Sequence, residues 1–138
     1  MYGNALLKAL NKEVNYLADT IKVMLCTSAY VPDQDVHIYK SSITNEVVGS
    51  GYVAGGATLT TKTMTYDGAT NTIKLDADDI TWASSTITAR YAVIYDSTGT
   101  DSTSTLLGYI DFGADQTSSA GSFTITFDAT GIFAVIVG

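Results

Sequence analysis

Residues 87–95 read ITARYAVIY, a run of β-branched and aromatic residues with no Gly, Pro, Asn or Asp inside it. Such a run forms a strand. An extended chain sends alternate side chains to opposite faces, so the spacing predicts Ile87, Ala89, Tyr91, Val93 and Tyr95 on one side. The second half, Ala92-Val93-Ile94, is apolar at every position, which suits a strand in the middle of a sheet with both faces covered.

The same logic extends along the chain. Thr20 to Thr27 is a near-continuous apolar run of strand length, Ala57 to Tyr66 a threonine-rich strand, and Thr72 to Leu75 places Ile73 and Leu75 on one face. Ile80 and Trp82 alternate likewise, Leu106 to Phe112 follows, and Phe123, Ile125 and Phe127 give the clearest alternation of all; Ile132 to Val137 ends the chain as a strand. Turn residues separate these runs: Asp67-Gly68 with Asn71, Asp76 to Asp79, Ser97 to Ser104 with Gly99, Gly113 to Gly121, and Asp128 to Gly131. Seven to nine strands at this spacing predict a mainly β chain, an antiparallel β-sandwich or jelly roll. Loops 96–105 and 113–122 are expected to stand out into solvent as mobile binding tips or inert connections.

Only the first 18 residues carry a helical period. Leu6, Leu10, Val14 and Leu17 recur at spacings of four, four and three, which predicts a helix over residues 5–16 with Asn4 as N-cap. The chain therefore divides into an N-terminal helical segment or arm, 1–18, and a β-sandwich domain, 19–138. At 138 residues it is long enough to bury about two-thirds of its unfolded surface without a metal or disulfide. Its single Cys26 lies in an apolar run and reads as core. The start of the chain lacks the basic and then uninterrupted apolar pattern of a signal peptide, and no run approaches the ~20 apolar residues of a membrane span. A chain made in the cytosol is expected, released by some route other than secretion.

The charge balance narrows the partners. Fourteen acidic residues against seven basic ones give −7, and the basic residues never cluster. Nucleic acid and anionic membrane both require several Lys or Arg together, so neither is expected as a partner. Catalysis finds little footing either. The one histidine, His37, has neither a Gly-x-Ser-x-Gly elbow nor an exposed-looking cysteine to serve, and it reads as a loop or strand-edge residue. One His and one Cys cannot make a zinc site. Asp76, Asp78 and Asp79 form the only calcium candidate, an irregular one without an EF-hand's central glycine or terminal glutamate. No cofactor is expected. The glycines of Gly49-Ser-Gly-Tyr-Val-Ala-Gly-Gly56 precede a strand rather than a helix, so they read as a turn that lets Tyr52 pack back, not as a phosphate cradle.

Several segments together resemble a family of small virion proteins of tailed bacteriophages. They are Asp19-Thr-Ile-Lys-Val-Met-Leu25, Tyr30-x-Pro32-x-Gln34-Asp35, Asn45-Glu46-Val47, Gly51-Tyr52-x-Ala-Gly-Gly-Ala57-Thr-Leu59, Leu75-Asp-Ala-Asp-Asp79, Trp82, Ser85-Thr-Ile-Thr-Ala-Arg90-Tyr-Ala-Val93 and Gly108-Tyr-Ile-Asp-Phe-Gly113. They span roughly residues 16 to 137. The resemblance implies a non-enzymatic β-sandwich subunit of the particle, with no catalytic residues to carry over. On this basis the expected role is a capsid decoration, cement or head-fibre protein. It would bind the major capsid protein on the outer capsid surface, be made in the host cytoplasm, and assemble as a homotrimer at a local threefold. The expected capsid or subunit contacts are Leu6, Leu7, Leu10, Val14 and Tyr16. The rival expectation is a tail- or fibre-associated module that binds a host receptor through loops 96–105 and 113–122.

Overall fold

Residues 87–95 lie within an interior strand of the larger of two sheets. The computed structural model describes all 138 residues. It contains one helix, α1 (Gly3–Leu10), and seven strands: β1 (Ile21–Cys26), β2 (Ala57–Thr58), β3 (Thr63–Asp67), β4 (Thr72–Asp76), β5 (Ile80–Asp96), β6 (Leu106–Ile125) and β7 (Phe133–Ile136). One antiparallel sheet has the order β2-β1-β5-β6 and the other β3-β4-β7. The chain is thus mainly β and sandwich-like, with a short N-terminal helix.

The main core takes one face of the larger sheet: Ile21, Val23 and Leu25 of β1, then Ile80, Trp82, Ile87, Ala89, Ala92 and Ile94 of β5, joined by Leu107, Phe123 and Ile125 of β6. The inward positions of β5 are even-numbered, then odd, then even again. Two irregularities make this possible. One falls between Trp82 and Ser85, where Ser84 has φ of 50°, and one between Ala89 and Tyr91. A bulge adds a residue to one strand and so flips the alternation beyond it. The strict alternation expected from Ile87 to Tyr95 therefore fails at its midpoint. Tyr91, Val93 and Tyr95 turn to the opposite face, where Tyr2, Met24, Cys26, Tyr30 and Leu106 form a second core. With a core on each face, the all-apolar Ala92-Val93-Ile94 is buried throughout, as its composition predicts.

Three boundaries differ from the sequence reading. Residues 113–122 are no loop: they belong to β6, with Gln116, Thr117 and Ser118 opposite Ala89, Thr88 and Ile87. Polar composition misleads here because an edge strand facing water needs no apolar residues to keep its ladder. The strand expected over Ala57–Tyr66 breaks into β2 and β3 around Thr61, whose φ of 52° interrupts extended backbone. The helix runs from Gly3 to Leu10, not 5 to 16, and Asn4 lies inside it rather than capping it. Lys12, with φ of 63°, turns the chain away before Val14, so the expected stripe is not on one helix face. Ala5, not Leu6, is the buried helical residue.

The first 18 residues are built into the sandwich. Tyr2 is almost fully buried, its N–H donating to Leu107 O at 2.9 Å and its hydroxyl meeting Tyr30 at 2.8 Å. Ala5, Val14 and Tyr16 join the main core.

The glycine stretch turns the chain against its own strands. A Cβ on Gly56 would lie 1.8 Å from Val23 O, and its φ of 77° disfavours any side chain. Tyr52 tucks back as expected: its hydroxyl accepts the Leu25 N–H at 2.9 Å and donates to Glu46 Oε1 at 2.7 Å, while Gly55 N–H reaches the same oxygen at 2.6 Å.

Candidate functional site

The smaller sheet has one apolar face and one mixed face, set by its period-2 pattern. Register sets Met64 opposite Leu75 and Leu75 opposite Phe133, with Tyr66, Ile73 and Val135 in the next row on the same face. Thr63, Thr65, Thr72 and Lys74 share the other side with Ala134 and Ile136. Of the apolar six, only Leu75 and Phe133 pack against the main core. The remainder overhang it.

Helix α1 lies across from this overhang, and a cleft of about 430 Å³ separates the two. Leu6 and Ala9 form the helical wall, Met64, Ile73 and Val135 the sheet wall, and the buried Val14 and Tyr16 the base. Tyr16 is fixed there by its hydroxyl, which donates to Asp76 O at 2.9 Å, and burial pushes that phenol up to about 12. None of the fourteen acidic side chains lines the cleft. Its one charged side chain is Lys12, which has no ion pair. By size and lining this cleft falls in the range of binding clefts generally.

Of the five contact residues expected from sequence, Leu6, Val14 and Tyr16 meet at this cleft. Leu7 and Leu10 lie on the outer side of α1, 55% and 76% exposed. The sheet wall was not foreseen as part of any site. Its signal was present in the alternations Met64/Tyr66, Ile73/Leu75 and Phe133/Val135, but nothing local says that such a face is left partly uncovered.

The remaining candidates do not converge. Asp78 Oδ2 accepts the Thr61 hydroxyl at 2.6 Å, Asp76 Oδ1 the Ala77 N–H at 2.9 Å, and Asp79 Oδ1 the Phe127 N–H at 2.8 Å. Each of these carboxylates thus serves a different protein donor, and no three acid, His or Cys side chains are grouped to hold a metal ion. His37 Nδ1 lies 3.0 Å from the Tyr30 hydroxyl, at the end of the chain of contacts from Tyr2. Cys26 is buried, and burial, with a smaller contribution from Glu46, pushes its thiol up to about 12, against forming the thiolate a nucleophile needs.

A carboxylate pair escaped the sequence reading. Asp96, at the end of β5 and 5% exposed, is pushed up to about 6 by burial and then by neighbouring Asp19. Lys62 partly offsets this, and its ammonium donates to Asp19 O. The two acids are distant in sequence and meet only because β1 pairs with β5, Ile21 opposite Asp96.

Comparison with protein-family models, with curated proteins and with solved structures finds no match for this chain.

Proposed function

We propose that this chain is a non-enzymatic structural protein of a tailed-phage particle, a decoration or cement protein of the head. In this reading it sits on the outer capsid surface against the major capsid protein and stabilises the assembled lattice. The observation that carries the proposal is the apolar surface of α1 and the cleft beside it, uncovered and lined by no acid in a chain of net charge −7. Contiguous exposed apolar surface of this kind marks protein interaction sites. A protein that binds only the assembled lattice stabilises it by mass action and needs no catalytic group. The resemblance of several segments to small phage virion proteins suits the same role, and a homotrimer at a local threefold is the arrangement proposed for it.

The receptor-binding alternative draws less support, because one of its two loops, 113–122, is edge strand. The other, 96–105, is held close by the Lys40–Asp101 ion pair at 2.8 Å and by Lys40 N–H to Ser104 O at 2.8 Å. Particles lacking the gene should assemble and adsorb to cells but release DNA at lower temperature than complete particles. Antibody against the protein should label heads uniformly. Labelling confined to the tail, or particles that are heat-stable but fail to adsorb, would overturn the decoration role.

A further inference from the structure

We infer that the face formed by α1 and the cleft is where a second copy of this chain seats, the outer ridge of one helix entering the neighbour's cleft. Around α1, Ala9, Leu6, Leu10 and Leu7 follow one another at steps of about 40–60°. The first two form a cleft wall, and the last two form a ridge directly beside it. One chain therefore offers both the groove and an apolar ridge to fill it. A small apolar ligand could fill the cleft but would leave Leu7, Leu10 and Tyr66 in water. Only a macromolecular surface covers them all.

Shape selects the second copy, because groove and apolar ridge lie side by side on the same chain. No acidic side chain lines the cleft, so the −7 carried by each copy is not concentrated at this contact. Area agrees: Leu6, Leu7, Leu10, Met64 and Tyr66 are each 46–76% exposed, and with Met1 they present on the order of 600 Å², near the ~800 Å² that each side of a standard interface buries. Ridge and cleft adjoin, so the contact closes as a two-fold pair or, if each ridge enters the next cleft in turn, as a ring.

The inference deepens the proposed role, in which the chain is a homotrimer, by assigning this face to the contact between copies; sedimentation of the purified chain tests that contact apart from the particle. Sedimentation equilibrium of the purified full chain should give a mass at least twice 14.6 kDa. Leu10→Glu on the ridge and Met64→Glu on the cleft wall are both exposed positions, so each variant should keep the wild-type circular dichroism. Each should dissociate at least tenfold more readily. A mixed pair keeps one intact ridge–cleft contact, so mixing the two variants should give a heterodimer at concentrations where each variant alone is monomeric. Wild type that stays at 14.6 kDa up to its solubility limit would overturn the inference, as would folded variants that associate like wild type. Saturable uptake of dodecanoate by monomeric wild type would overturn it too, in favour of a small apolar ligand.

Discussion

Asp96 shows how much one residue's setting alters its chemistry. Buried at the β1–β5 seam beside Asp19, it holds its proton up to about pH 6, whereas an unfolded aspartate loses it near 3.8. In that window the folded chain binds a proton that the unfolded chain has released, so this group's contribution to stability falls as pH rises from about 4 to 6. The full penalty, on the order of 2–3 kcal/mol, is in place at neutral pH. Asp96→Asn removes the charge and keeps the shape. The variant should melt higher than wild type at pH 7.5 and lose the fall in stability between pH 4 and 6. A melting temperature at pH 7.5 below wild type, with the pH profile unchanged, would show that Lys62 more than offsets the burial. Nothing in the neighbourhood of residue 96 in sequence signals this, because Asp19 is brought to it only by strand pairing.

Among the elements, the β5–β6 hairpin carries the largest departure from local expectation. Its outer half has β6 as its only strand partner and is knitted by Ser85, whose hydroxyl is fully buried. That hydroxyl lies 2.8 Å from Ser118 Oγ, 2.9 Å from Trp82 O and 3.0 Å from Gly121 O, while Ser118 Oγ accepts the Ile87 N–H at 3.2 Å. These contacts close the bulge at Ser84, which returns Ile87 and Ala89 to the core face. Ser85→Ala removes the single hydroxyl proton that these neighbouring acceptors share and should cost about 1–3 kcal/mol in urea denaturation. A change within about 0.5 kcal/mol, typical of a surface site, would mean that the bulge is held by register alone. Strand existence was legible here from β-branched residues, since that signal is local. The parity of Ile87 to Tyr95 was not, because a bulge is decided by the partner strand. Residues 113–122 were misread for a related reason: hydroxyl-rich edge strand and loop share a composition, and only the ladder to Ala89, Thr88 and Ile87 distinguishes them.

For the whole molecule, the N-terminal segment ties the layers together. It fills the second core with Tyr2 and the first with Ala5, Val14 and Tyr16, and Tyr16 bonds to Asp76 O at the end of β4. Deleting residues 1–18 should therefore abolish the cooperative thermal transition seen by near-ultraviolet circular dichroism. A truncated chain melting within a few degrees of the full one would show the segment to be an appendage. The same placement leaves the candidate face where it is: α1 spends Ala5 on the core, and Leu6, Leu7 and Leu10 remain outside it.

By itself the sequence determined the class of the fold, its helix near the start, most strand positions and the turn at Gly49–Gly56. These follow from local preferences and period, which neighbouring residues carry between them. Tertiary structure alone decided which way β5 faces after each bulge, that Asp19 meets Asp96, and that Met64, Ile73 and Val135 overhang the core opposite α1. Those outcomes depend on how far one sheet extends past another and on which strands pair, and contacts between residues far apart in the chain leave no periodic trace in it.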